Sequence, residues 1–233
     1  MTTSRFDQFI SDYPEFLETK KIDELRSSDY SRLDHQGHVY LDYTGGGLYA
    51  ESQVKAHQKM LLDGVFGNPH SSNPSSMHST ELVESARAAV LDFFHADSSE
   101  YVVIFTSNAS GALKHVGESY PFSKGSQYLL TYDNHNSVNG IREYALAKGA
   151  EVTYIPVMPP EMRVDEERLL SSLKSKGSGN HLFAFPAQSN FSAVQHPLEW
   201  VKIAHDLGWD VLLDAAAFTP TNRLDLSLVT PDF

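Results

Sequence analysis

The chain lacks cysteine altogether and has no apolar run near the ~18 residues that a membrane helix needs. Without cysteine, disulfides, cysteine–zinc sites and a thiol nucleophile are excluded within these residues. Positive charge is also scarce, because 18 Lys and Arg stand against 30 Asp and Glu, a net charge of −12. This balance argues against nucleic acid or an anionic membrane as a partner. Residues 1–13 show no signal or transit peptide, and we expect a cytoplasmic protein.

Short β-rich runs alternate with segments of helical periodicity along most of the chain. The runs typical of strands lie at 39–42, 101–105, 127–131, 152–155, 181–185 and 210–213. The segments with helical spacing lie near 50–64, 79–95, 109–119, 137–148, 165–175 and 197–207. This alternation predicts an α/β fold, a three-layer αβα sandwich with a mostly parallel sheet. Right-handed crossovers would bring the carboxyl ends of the strands to one edge, where ligands usually bind.

The two ends of the chain differ from this pattern. Residues 3–35 indicate amphipathic helix with an early break at Pro14, so we predict a helical arm over 1–37 and the major domain over 38–233. The final residues, 230–233, carry neither a helix cap nor a polar tail. We therefore expect the chain to stop as it enters another strand, which would leave the domain incomplete at its C-terminus.

Hydroxyl-rich residues follow the run at 101–105. Backbone N–H groups at a helix N-terminus, together with the hydroxyls of Ser107 and Ser110, suit a phosphate group. The alternative is an ordinary helix cap made by Ser107 or Asn108. The triple glycine at 45–47 matches neither of the glycine-rich phosphate-binding motifs, GxGxxG and GxxxxGK(S/T). A tight turn is therefore the better interpretation there.

Polar residues also follow three later strands. His135 could stack on a flat cofactor and move protons, although a loop histidine without a role is the alternative. Gln188 and Asn190 could hydrogen-bond a cofactor hydroxyl, or could only form a turn. Asp214 closes a buried apolar run, where a carboxylate more often serves a site than a helix cap. The histidines show no metal-ligand spacing, and no order of Ser, His and Asp matches a hydrolase triad.

Six ordered segments together resemble class V aminotransferase-like, fold-type I enzymes that use pyridoxal 5′-phosphate (PLP). The resemblance is nearest to the branch containing the N-terminal, cysteine-desulfurase-like domain of molybdenum cofactor sulfurases. The segments are YLDYTG at 40–45, GNPH at 67–70 with NPSSMH at 73–78, FTSNAS at 105–110, NH at 134–135, QSN at 188–190 and LLDA at 212–215.

The resemblance implies a role for each matching residue. It assigns the cofactor phosphate to the segment Ser107, Asn108, Ala109 and Ser110. It also implies that His135 stacks on the ring and acts in proton transfer, and that Asp214 pairs with the pyridine nitrogen. Asn190 would bind the phenolic oxygen, with Gln188 beside it as a further cofactor residue, and residues 73–78 would line the entrance.

Three departures from the family pattern stand out. Ala217 occupies a position where cysteine desulfurases usually have glutamine, and Ala193 one where glycine is common. No lysine follows Lys202, so the Schiff-base lysine that holds PLP in the family would lie beyond Phe233, together with the persulfide-carrying cysteine and a molybdenum-cofactor-binding domain. We therefore expect this chain by itself to be inactive.

The resemblance implies a reaction for the full-length form. Sulfur from L-cysteine would pass through an enzyme persulfide to the molybdenum cofactor, and the protein would be a homodimer. Two alternatives stay open: another class V activity, such as a selenocysteine lyase, an epimerase or an aminotransferase, and a non-catalytic fragment or pseudo-enzyme.

Overall fold

A computed structural model describes residues 4–43 and 45–233 as two compact units, Met1–Ser79 and Thr80–Phe233. Residues 1–3 of the predicted arm and Thr44 of the segment at 40–45 lie outside the described residues. No helix in the described ranges is both long and apolar enough to cross a membrane. The predicted boundary between residues 37 and 38 stays a prediction.

The first unit is helical. Its helices are α1 (Arg5–Asp12), α2 (Lys20–Asp29), α3 (Arg32–His35) and α4 (Glu51–Asp63), and α5 (Pro74–Phe93) begins in it. Ser4 starts α1 by accepting the backbone N–H of Asp7 at 3.1 Å. Pro14 opens a short 3₁₀ helix that separates α1 from α2, as the break predicted at this residue requires.

The second unit contains all the assigned strands of the described chain. Its helices after α5 are α6 (Ala109–Ser119), α7 (Asn136–Asn139), α8 (Ile141–Ala147), α9 (Glu166–Lys174) and α10 (Glu199–Asp206). Its strands are β1 (Gln127–Thr131), β2 (Glu151–Ile155), β3 (Val157–Met158), β4 (Arg163–Val164), β5 (His181–Pro186) and β6 (Asp210–Asp214). The main sheet has the order β2–β1–β5–β6 and all its neighbours are parallel, which confirms the predicted class.

Strand periodicity divides the buried side chains into two cores. Alternate residues of a strand point to opposite faces of the sheet. Phe183, Phe185 and Val211 belong to the core that includes residues of α9 and α10, whereas Leu182, Ala184 and Leu212 belong to the core that includes residues of α7 and α8. Helices therefore cover both faces of the sheet. This explains why its central strands are continuous apolar runs.

Two of the six predicted strands are wrong in the described structure. Neither 39–42 nor 101–105 is assigned as a strand. A strand needs a neighbour that accepts its backbone hydrogen bonds, and 101–105 has no such ladder among the described residues. Val102 and Ile104 are accordingly 81% and 71% exposed. The predicted helix at 137–148 is divided into α7 and α8 at Gly140, a residue of low helix propensity.

The last residues of the chain bond to β6. Phe233 donates its backbone N–H to Val211 at 3.1 Å and accepts the N–H of Leu213 at 2.9 Å. This alternation is the hydrogen-bond pattern of a parallel pair. Oδ2 of Asp232 also accepts the N–H of Val211 at 2.7 Å.

Candidate functional site at the carboxyl edge of the sheet

The loops that follow β5 and β6 begin level with each other. Pro186 pairs with Asp214 in the parallel register, and Ala187 donates its backbone N–H to the carbonyl of Asp214 at 2.9 Å. Gln188 and Asn190 therefore start from the same level of the sheet as the Asp214 carboxylate.

The loop after β1 is fastened to the loop after β5. Asn134 donates through Nδ2 to the carbonyls of Thr131 at 2.9 Å and Ala184 at 3.1 Å. The hydroxyl of Ser189 donates to the carbonyl of Asp133 at 3.4 Å. These bonds hold the segment that carries His135 beside the segment that carries Asn190. Asn190 also lines a cavity of about 570 Å³ with Asn134 and Asn136, the two neighbours of His135.

The start of α6 presents backbone donors. Asn108 caps the helix, because its Oδ1 accepts the N–H of Gly111 at 2.9 Å. The first N–H groups of a helix have no partner within the helix, and the helix dipole favours an anion there. Ser107 lies close by, since a Cβ placed on Gly111 would sit 3.4 Å from its Oγ. The predicted cap at Asn108 is thus present, and anion binding at this helix start stays a prediction.

A chain of hydrogen bonds joins α6 to the imidazole of His135. His135 caps α7, and its Nδ1 accepts the backbone N–H of Ser137 at 3.2 Å. Oγ of Ser137 lies 3.1 Å from the same Nδ1 and 2.5 Å from Oγ of Ser110. Ser137 therefore links the predicted phosphate segment to the predicted stacking residue.

A second cavity connects α6 to the turn after β6. It has a volume of about 570 Å³, and its lining includes Thr106 and Ala112 from the α6 side and Ala215 and Ala216 from the turn. Hydrogen bonds thus link Ser110 to His135 through Ser137, and they also link the loops that carry His135, Asn190 and Asp214. The α6 side and the turn after Asp214 line one cavity at this edge.

The candidate side chains differ in how many hydrogen bonds they already make within the protein. Oδ1 of Asp214 accepts the N–H of Ala216 at 3.0 Å, and its other oxygen has no hydrogen bond to any described residue. The exposed side chain of Asn190 has none either. Gln188 is buried, and its Oε1 accepts from Gln195 at 3.1 Å and from Asn222 at 3.4 Å. The side-chain oxygen of Gln188 therefore stabilises the loop. The role of Gln188 toward a cofactor stays a prediction.

Two residues of this edge escaped the sequence reasoning. Ser137 lies two residues after the NH segment at 134–135, but its spacing from Ser110 gave no signal. His196 lies beyond every quoted motif, yet its Nε2 is 2.8 Å from Oδ2 of Asp133. No sequence signal indicated this pair, because its two members are 63 residues apart.

Two of the three departures from the family pattern, Ala193 and Ala217, lie among the described residues. Ala193 has a φ of 59°, in the left-handed region that favours glycine, which explains why glycine is common at that position. Ala217 is buried at 6% exposure.

A parallel αβα sheet whose carboxyl edge combines a helix start, an imidazole, an amide and an open carboxylate is the architecture of a cofactor-binding α/β protein. The chain belongs to the aminotransferase class-V family, whose model matches residues 39–233.

Curated relatives support this membership along nearly the whole chain. The chain is similar to the molybdenum cofactor sulfurase of Homo sapiens, with 39% identity over 225 residues that cover 90% of this chain and 25% of that protein. It is also similar to the molybdenum cofactor sulfurase of Arabidopsis thaliana, with 38% identity over 247 residues that cover 92% of this chain and 30% of that protein. The chain thus spans less than a third of the length of these relatives.

Solved structures share the fold. An apo cysteine desulfurase from Thermococcus onnurineus has a TM-score of 0.75 at 25% identity, covering 90% of this chain and 51% of that one. A cysteine desulfurase from Escherichia coli has a TM-score of 0.71 at 20% identity, covering 91% and 52%. A C-DES mutant with glycine covalently linked to its PLP cofactor has a TM-score of 0.64 at 19% identity, covering 81% and 49%.

Proposed function

We propose that this chain is the PLP-binding part of a protein that mobilises sulfur from L-cysteine for the molybdenum cofactor. The observation that carries the proposal is the linked arrangement of Ser110, His135, Asn190 and Asp214 at one edge of the sheet. The likeness to molybdenum cofactor sulfurases supports the choice of substrate and acceptor.

The chemistry of the available groups fits PLP. An anionic phosphate suits the start of α6, where backbone N–H groups and the hydroxyls of Ser107 and Ser110 are close together. A protonated pyridine nitrogen suits an open carboxylate oxygen, which Asp214 has. The phenolic oxygen suits an amide donor without a partner, which Asn190 provides.

When bound, PLP supplies an electron sink for the negative charge that develops on an amino-acid substrate. The residues of this chain hold and orient it. Asp214 would keep the pyridine nitrogen protonated through a charge-assisted hydrogen bond. His135, whose Nδ1 accepts from the Ser137 backbone, would have Nε2 free to hold or move a proton.

The proposed overall reaction balances with a thiol as the sulfur acceptor. L-cysteine loses its sulfur atom to the thiol, which gives alanine and a persulfide. The chain contains no cysteine, so the accepting thiol is supplied from outside these 233 residues. A second external thiol would then release the outer persulfide sulfur as sulfide for the molybdenum cofactor, and a disulfide would be left.

Equilibrium dialysis with PLP tests the cofactor assignment without requiring turnover. We expect Asp214→Ala to weaken PLP binding by about tenfold or more, because a hydrogen bond to a charged group contributes roughly 1.5–3 kcal/mol. Asp206→Ala is the matched control, since it removes the same charge from an exposed pair with Lys202. Equal PLP affinities for wild type and Asp214→Ala would contradict the assignment.

The reaction is tested in the whole protein with L-cysteine and a thiol acceptor. Alanine and persulfide should form in equal amounts, and Asp214→Ala should abolish both. Alanine without persulfide, or transamination of L-cysteine, would exclude sulfur mobilisation and favour another class V activity.

A further inference from the structure

Ser137 lies between two residues that the proposed function places at the cofactor. Its half-buried side chain is 2.5 Å from Oγ of Ser110 and 3.1 Å from Nδ1 of His135. Its backbone N–H donates to the same Nδ1 at 3.2 Å. One serine therefore contacts both the start of α6 and the imidazole that caps α7.

The protons of this group can be counted. A backbone N–H can only donate, so Nδ1 of His135 is an acceptor and the neutral ring carries its proton on Nε2. Each serine hydroxyl has a single proton, and one of the two hydroxyls must donate to the other across 2.5 Å. Two arrangements matter here, and they differ in which hydroxyl donates across this contact.

In the first arrangement, Ser110 donates to Ser137 and Ser137 donates to Nδ1 of His135. The only proton of Ser110 is then used, and this hydroxyl offers nothing but lone pairs to a ligand. In the second arrangement, Ser137 donates to Ser110, whose own proton is free to turn toward a ligand. Nδ1 then keeps only the backbone donor.

We propose that Ser137 is a positioning residue that couples anion binding at Ser110 to the hydrogen bonding of His135. An anion at the start of α6 that accepts a hydrogen bond from the Ser110 hydroxyl selects the second arrangement and removes one donor from Nδ1. The inference rests on the proposed function, because the phosphate of PLP is the anion expected at this place.

The ¹⁵N resonances of the imidazole report the coupling directly. At about pH 8.5, where histidine side chains are neutral, inorganic phosphate should move the Nδ1 resonance of His135 toward that of a nitrogen with fewer donors. His135→Gln assigns the resonance. The shift should be lost in Ser137→Ala, which keeps the backbone donor, and restored in Ser137→Thr, which keeps a hydroxyl.

Ser171→Ala is the matched control, because Ser171 lies on α9 and its hydroxyl donates to a carbonyl of its own helix at 2.9 Å. It should leave the phosphate-induced shift unchanged. Tryptophan fluorescence during urea unfolding checks that each variant is folded, since both tryptophans, Trp200 and Trp209, lie in the second unit.

When the amides of Ala109 and Ser110 show that phosphate is bound, an unmoved Nδ1 resonance or an equal shift in Ser137→Ala would overturn the coupling. Absence of phosphate binding at these amides would remove the anion site and the coupling with it. Asp214-dependent PLP binding without a Ser137-dependent shift would retain the proposed function alone. A Ser137-dependent shift without Asp214-dependent PLP binding would retain the coupling alone.

Discussion

Nε2 of His196 lies 2.8 Å from Oδ2 of Asp133, and the two side chains are 2% and 3% exposed. The pair joins the loop after β1, which carries His135, to the segment that leads from Asn190 to α10. The other oxygen, Oδ1 of Asp133, is buried without a hydrogen-bond partner among the described residues. The carboxylate therefore depends on His196.

Removal of either partner of this buried pair should destabilise the second unit. Burial raises the pKa of the Asp133 carboxyl. The hydrogen bond and charge of His196 lower this pKa, and the net pKa is below the ordinary value. We expect His196→Phe to lower the free energy of unfolding by about 3 kcal/mol, since it leaves a buried carboxylate unpaired. Urea unfolding followed by tryptophan fluorescence measures it.

Asp206→Asn is the control for this prediction, because the exposed pair of Asp206 and Lys202 should contribute less than about 1 kcal/mol. The lowered pKa of Asp133 also fixes the sign of the pH dependence. Its contribution is present above the unfolded-state pKa, near 3.9, and is lost as the pH falls through the folded-state pKa. Equal losses in His196→Phe and Asp206→Asn would contradict the buried pair.

His181, at the opposite end of β5, should make stability fall in mild acid. Burial lowers its pKa, although the bond from Nε2 to the carbonyl of Gly177 at 3.2 Å raises it. Nδ1 accepts the N–H of Gln127 at 3.2 Å, which only the neutral ring allows. The stabilising contribution is therefore complete above the unfolded-state pKa of about 6.5 and decreases as the pH falls below it.

His181→Asn tests this sign. The variant should cost about 1 kcal/mol at pH 8, the typical value of one lost hydrogen bond, and the difference from wild type should shrink as the pH falls from 7 to 5. The difference in unfolding free energy between the two proteins, measured at each pH, isolates His181 from other groups. A difference that is constant over this range would show that the folded and unfolded pKa values are equal.

PLP should bind to this polypeptide without a covalent bond. Neither of the two cavities at the site has a lysine among its lining residues, and the lysine of the family pattern is not matched within residues 1–233. Borohydride reduction after PLP loading should leave no stoichiometric label on any lysine, as mass spectrometry would reveal. L-cysteine should yield no alanine above background. One fully labelled lysine, whose replacement by alanine abolishes turnover, would contradict this expectation.

The second unit should self-associate through its exposed apolar segment. Val102, Ile104 and Phe105 are exposed, and the first two also line the cavity beside β6. Large exposed apolar patches favour association, and the family resemblance implies a homodimer. Light scattering should show a size that grows with concentration and decreases in a Val102→Asn, Ile104→Asn double variant.

A double variant of α4, Leu61→Asn with Leu62→Asn, is the control for this prediction, because it also removes two exposed apolar side chains. It should leave the size distribution unchanged. A concentration-independent monomer in wild type would show that the patch does not associate.

Sequence patterns predicted the parts of the fold that depend on burial within one segment. β1, β5 and β6 are apolar runs whose interiors are buried, and they form as predicted. The run at 101–105 is also apolar, but no strand pairs with it in the described chain. Strand formation there depends on a pairing partner, which composition does not encode.

The same distinction holds for the site. His135, Asn190 and Asp214 each follow a predicted strand that forms, so parallel topology was enough to place them at one edge. The run before Ser107 forms no strand, and the start of α6 reaches this edge through the contact of Ser110 with Ser137. Ser137 and His196 gain their importance from contacts with residues 27 and 63 positions away in the sequence. Such long-range contacts are fixed by packing, which a single sequence without its structure does not display.

The alternation of β5 between two cores also constrains how this protein can change. Deletion of Ala184 from β5 would turn Phe185 to the opposite face of the sheet, toward the core that contains Leu182 and Leu212. The same deletion would draw Asn190 back by one position relative to Asp214. Length variation in this family member should therefore be confined to the loops, while β5 changes by substitution alone.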